Sequence, residues 1–304
     1  HKQTIEEILK KENLITNSLD ELHRDDLISI LLQKEIRVHA DQFEEVIVKD
    51  TIRTMAQLSK IQSKNGEEGC NRYIISNSED IFSVLFVFSL LRWCCWEKGE
   101  IPIDIIPLFE SMEGMANSGL IMKELFDIPE YRDHISHRQN IQTVMLGFSD
   151  GTKDGGYLQA NWSIFKTKEN LSGVCDEYNI KAIFFDGRGG PPSRGGGKTH
   201  RFYASQSKII ANHAIQLTIQ GQTITSTYGT REKFIYNCEQ MLTAGLSNSL
   251  LEKENAISNE SRQIIEELAL LSFEKYTELK NHKMFIPYLE NKSTLKYYSK
   301  ANIG

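Results

Sequence analysis

Between Phe185 and His200 the sequence reads FDGRGGPPSRGGGKTH, which sets Arg188 and Arg194 among six glycines. Arginine offers phosphate or carboxylate a rigid fork of donors, and neighbouring glycines let backbone N–H groups approach the same anion. The segment therefore reads as an anion site, with Gly189, Gly190, Gly195 and Gly196 as its backbone cradle. By composition alone a flexible surface loop is the alternative. The tail GGGKT has the look of a P-loop, but that motif needs glycine where Pro192 stands.

A second cluster, GFSDGTKDGG over 147–156, carries Asp150 and Lys153. A carboxylate at a strand end and a lysine three residues on can hold a divalent cation and an anion together. Glu110, after the apolar run IDIIPLF, is the matching second carboxylate for a hard cation. Asp154 or Thr152 is expected to cap the helix that follows. His134 and His137 have a spacing that can grip a metal, but no third ligand is near in sequence and an exposed helix end is the better reading.

The elements that must position these residues are short, β-branched apolar runs: 72–76, 103–109, 143–148, 181–185 and 215–219. Each reads as a strand buried on both faces. Polar groups follow the last four at Glu110, Asp150, Asp186 and Gln220, in steps of 40, 36 and 34 residues that accommodate one strand, one helix and two loops. Helical patterns lie between them, notably 157–178 with Leu158, Trp162, Phe165, Leu171 and Val174 along one face. The fold class is thus α/β and predominantly helical. Ionisable groups after successive parallel strands are what a (β/α)8 barrel presents, and a doubly wound sheet gives the same local signals.

Composition narrows the classes further. The chain has 304 residues, 40% hydrophobic and 25% charged, with a formal charge of −6, so nothing draws it to a nucleic-acid backbone. Cys70, Cys94, Cys95, Cys175 and Cys238 show no CxxC spacing, which fits reduced thiols and a cytoplasmic protein. The run Ile81–Trp96 is shorter than a membrane span and contains Arg92, so it reads as a buried helix, with Phe82, Phe86, Phe88, Trp93 and Trp96 as core. Eleven of the 20 glycines fall between Gly147 and Gly197, which concentrates irregular functional backbone there.

Taken together, IPLFESMEG, VMLGFSDGTKDGG and FFDGRGGPPSRGGGKTH resemble, in order and spacing, the signature segments of phosphoenolpyruvate carboxylases. The likeness runs from about residue 50 to the closing NIG, whereas residues 1–49 fit less well, with Arg37 a faint match to an arginine-bearing strand. It implies a TIM-type barrel with extra packing helices, Mg²⁺ or Mn²⁺ as cofactor, and phosphoenolpyruvate and bicarbonate as substrates. The products implied are oxaloacetate and phosphate, formed through carboxyphosphate and an enolate. A homotetramer is the implied assembly, with neither nucleic acid nor membrane as partner.

Carried over residue by residue, Glu110 and Asp150 match the metal ligands, and Lys153, Arg188 and Arg194 match basic active-site residues. Where the family usually has His before GRGG, this sequence has Asp186, counted here with the catalytic set. No T-A-H-P motif occurs, and the chain reads as a catalytic-barrel fragment: a helical lead-in over 1–49, barrel units over 50–229 and packing helices over 230–304. A non-catalytic anion-binding relative, or an inactive fragment, is the alternative.

Overall fold

The computed structural model describes residues 1–96, 101–188, 198–210, 214–219, 221–250 and 257–294. Three helices lead in: α1 (Lys2–Lys11), α2 (Arg24–Gln33) and α3 (Val46–Asn65). Then strands and helices alternate: β1 (Arg72–Ile75), α4 (Ile81–Cys94), β2 (Asp104–Phe109), α5 (Met112–Asp127), α6 (Pro129–His137), β3 (Ile141–Gly147), α7 (Phe148–Gly155), α8 (Tyr157–Glu177), β4 (Lys181–Gly187), α9 (Thr199–Ala204) and β5 (Ile215–Leu217). Helices α10 (Gly221–Tyr228), α11 (Arg231–Leu250), α12 (Asn259–Lys280) and α13 (Phe285–Lys292) follow.

All five expected strands form, and each pairs in parallel with the next, in the order β1-β2-β3-β4-β5. A doubly wound sheet reverses its strand order at a switch point. Among the described strands there is no reversal, so the ambiguity left by the sequence resolves in favour of a singly wound sheet. Five strands are short of the eight a barrel closes with.

The apolar run at 81–96 forms α4, whose start is fixed by the Asp80 carboxylate accepting from Ser83 N at 3.0 Å. Ten of its 14 residues are buried, and it is tied to the lead-in: Arg92 donates to the carbonyls of Leu31 and Leu32, and Trp93 Nε1 to that of Lys34. Phe86, Phe88 and Trp93 are buried, as a core reading requires. No helix among the described residues is long and apolar enough to cross a membrane.

Two expectations are corrected. His134 is not on an exposed helix end: it is buried in α6 against Phe88 and Tyr131, and burial lowers its pKa to about 4, so the ring is neutral. Of the two, His137 is the exposed one. Neither Thr152, whose hydroxyl donates to the Phe148 carbonyl, nor Asp154 caps α8. The Asp154 carboxylate accepts from Met112 N at 2.9 Å, on the first turn of α5. The cysteines are free, and burial raises the thiols of Cys94 and Cys175 to about 12, which keeps both protonated.

Candidate active site

Parallel pairing brings the C-terminal ends of β2, β3 and β4 side by side, with Phe109 opposite Leu146 and Gly147 opposite Gly187. Glu110 leaves β2 at this edge. Its Oε1 accepts from the backbone N–H of Asn77 at 3.1 Å, in the turn after β1, where Asn77 itself takes φ 51°. Against Glu110 lies Gly147, where an added Cβ would stand 2.5 Å from the Glu110 Cβ. Any larger residue there would displace the carboxylate, so glycine sets the seat of Glu110.

The segment after Gly147 is helical, although its composition reads as a loop. α7 starts directly from β3, and Gly151 and Gly155 press against the side chains of Met112 and Met115. Asp150 lies in its first turn and Lys153 in its last, joined Nζ to Oδ1 at 2.6 Å and both exposed. Gly156, at φ 77°, breaks the chain between α7 and α8, a conformation that favours glycine. Tyr276 of α12 lies against Gly156 and donates its hydroxyl to the Lys153 carbonyl at 2.7 Å, while Lys280 donates to that of Asp154 at 3.0 Å.

Arg188 follows β4. Its guanidinium lies 4.3 Å from the centre of the Phe202 ring and 6.0 Å from that of Phe148, stacked on one aromatic face and close to a second. Partial burial lowers its pKa from the usual arginine value. Gly189, Gly190, Arg194, Gly195, Gly196 and Gln220 lie outside the described residues.

Asp186 differs from these groups in its burial. β4 continues through it to Gly187, and its carboxylate is fully buried rather than poised at a strand end. Lys168 of α8 reaches it, with Nζ 2.7 Å from Oδ1 and 2.9 Å from Oδ2, and Tyr203 of α9 donates its hydroxyl to Oδ2 at 2.8 Å. The ammonium is enclosed by the rings of Phe202, Phe184 and Tyr203 at 5.0, 5.3 and 5.8 Å. Burial lowers the Lys168 pKa, against the opposing pull of Asp186, and burial beside that carboxylate raises that of Tyr203. The adjoining cavity, about 30 Å³, has room for about one water and not for a substrate.

Lys168 is the residue that sequence reasoning missed. Ile164, Lys168, Leu171 and Cys175 share the buried stripe of α8, so a lysine at an apolar helical position was the available signal. No group of three or more His, Cys, Asp or Glu residues among the described residues is arranged to hold a metal. Two carboxylates at one edge still fit a hard cation such as Mg²⁺, which is commonly held by one or two carboxylates together with water and substrate phosphate. Glu110, seated by Gly147, and the accessible Asp150 are the two carboxylates that would supply such oxygens.

A family model described as phosphoenolpyruvate carboxylase matches residues 1–304, including the first 49 that appeared divergent by sequence. A phosphoenolpyruvate carboxylase of Corynebacterium glutamicum is 32% identical over 306 residues, covering 95% of this chain and 33% of the relative. That of Rhodopseudomonas palustris (strain BisB5) is 32% identical over 314 residues, covering 100% of this chain and 33% of the relative. That of Corynebacterium diphtheriae is 35% identical over 240 residues, covering 79% and 26%. The chain spans about a third or less of the length of these curated relatives.

Proposed function

The chain belongs to the phosphoenolpyruvate carboxylase family, and from that premise we propose that the whole protein carboxylates phosphoenolpyruvate with bicarbonate, giving oxaloacetate and phosphate. The observation that carries the reading is the convergence of Glu110, the Asp150–Lys153 pair and Arg188 at the same ends of three adjacent parallel strands.

In this reading Arg188 clamps the phosphoryl group, its plane fixed by Phe202. Bicarbonate oxygen attacks phosphorus, the bond from phosphorus to the enol oxygen breaks, and carboxyphosphate and the enolate of pyruvate result. Carboxyphosphate then yields CO₂ and phosphate, and the enolate carbon takes up the CO₂. Lys153 and Arg194 hold bicarbonate and then carboxyphosphate, supplying positive charge set in place beforehand. Glu110 and Asp150 would hold a Mg²⁺ or Mn²⁺ ion, which would supply charge stabilisation as a Lewis acid. The Asp150–Lys153 contact must open to free both groups, which its exposure makes inexpensive. Water must be kept out, because a protonated enolate leaves as pyruvate.

The sequential parallel strands support an arc of an eight-stranded barrel built from residues 50–229, with 1–49 as lead-in and 230–304 as packing helices. A cytoplasmic homotetramer is the assembly and location this family reading favours. The test is oxaloacetate formation from phosphoenolpyruvate, bicarbonate and Mg²⁺ by the full-length protein containing this chain. Turnover that requires the metal is the expected result. A folded protein that binds phosphoenolpyruvate but forms no oxaloacetate would instead be a binding relative without catalysis.

A further inference from the structure

The buried cluster of Lys168, Asp186 and Tyr203 joins three elements at one point: α8, the last turns of β4, and α9. Asp186 stands two residues before Arg188, and Tyr203 follows Phe202, the ring on which the Arg188 guanidinium rests. Oδ2 of the carboxylate accepts from both Lys168 and the tyrosine hydroxyl, and Oδ1 lies 2.7 Å from the same ammonium in an ion pair. A cluster so placed fixes the two things that set the direction of Arg188: where its backbone leaves the sheet, and where the aromatic face beneath it lies.

We propose that Lys168, Asp186 and Tyr203 are positioning residues that aim Arg188, an inference that rests on the role given to Arg188 above. None of the three needs to touch substrate, and the cavity beside them is too small to admit it. Lys168 and Asp186 answer each other's charge, so neither is replaceable alone: converting Asp186 to a neutral or cationic residue strands the ammonium of Lys168 among three rings. Tyr203 carries the same constraint into α9, because its hydroxyl has the Asp186 carboxylate as acceptor.

The experiment uses the full-length protein with Lys168→Met, Tyr203→Phe and Arg188→Gln, and each of the first two combined with the third. Tyr203→Phe removes one hydroxyl and keeps the ring, so it remains informative if Lys168→Met does not fold. The expected result is a rise of about tenfold in KM for phosphoenolpyruvate in Lys168→Met and Tyr203→Phe, with kcat changed less, and no further rise when either joins Arg188→Gln. Faster amide exchange over residues 199–206 should accompany it in both single variants. A lowered melting temperature with unchanged KM, or effects that multiply in full with Arg188→Gln, would overturn the proposal and leave the cluster a purely stabilising one. If the parent protein forms no oxaloacetate, the carboxylase reading fails by itself. The same cycle is then read from calorimetric binding of phosphoenolpyruvate, where coupling to Arg188 supports positioning, and its absence, or no binding by the parent, refutes it.

Discussion

The Asp150–Lys153 and Asp186–Lys168 pairs have Nζ to Oδ1 distances of 2.6 and 2.7 Å, yet the first has side chains 53% and 72% exposed and the second 1% and 2%. Both lie near the ends of neighbouring strands, and both join a carboxylate to a lysine. In the exposed pair water competes for each charge, so the contact contributes little and either group can turn to a ligand. In the buried pair no such exchange is open. Desolvation has already been met, and removing either partner leaves an isolated charge in an apolar site. One geometry thus serves two purposes: the exposed pair suits chemistry, and the buried pair suits the frame that holds it.

Breaking the buried pair should have the largest effect. Lys168→Met is expected to lose about 3–5 kcal/mol of stability in denaturant unfolding, and Lys168→Met with Asp186→Leu should recover most of that loss. A single replacement as mild as the double would show that the pair is solvated and remove the contrast. Next in size is Gly147→Ala. Its Cβ meets that of Glu110 at 2.5 Å, so about 1–3 kcal/mol of overpacking and weaker Mn²⁺ binding should appear together. Stability lost without any change in Mn²⁺ titration would separate Glu110 from the metal.

Opening the exposed pair should barely touch stability. Lys153→Ala and Asp150→Asn are expected to change it by less than about 1 kcal/mol. Asp150→Asn should nevertheless weaken Mn²⁺ binding by more than the about 10–100-fold typical of losing an outer partner of a metal ligand. Equal Mn²⁺ affinity would take Asp150 out of the donor set. The smallest effect concerns salt: raising it to about 1 M, where screening acts within about 3 Å, should erase any stability difference between Lys153→Ala and the parent while leaving that of Lys168→Met in place.

How far the sequence speaks for itself differs between these regions. The strands were legible because a parallel strand covered on both faces is a continuous apolar run, as in Thr143–Phe148 and Lys181–Phe185. Helix α7 was not, because Gly151 and Gly155 each disfavour a helix by about 1 kcal/mol and only the fit against Met112 and Met115 justifies them. That Glu110, Asp150, Lys153 and Arg188 follow the ends of β2, β3 and β4 was legible from the apolar runs before them. The place of Asp186 was not. Its partner is 18 residues upstream on another element, and pairing across elements leaves no local pattern. His134 was misread for a similar reason: the ring that covers it, Phe88, lies on α4.

The brace that α12 lays on α7 has a consequence for synthesis. Tyr276 reaches the Lys153 carbonyl from 123 residues later in the chain, and Lys280 reaches that of Asp154 from 126. At about 5–20 residues per second, the ribosome makes Lys153 about 6–25 s before Tyr276 exists. During that interval Asp150 and Lys153 ride on a helix whose last-turn carbonyls still lack the hydroxyl of Tyr276 and the ammonium of Lys280. The turn that carries Lys153 therefore gains its last two hydrogen bonds only once α12 has been made.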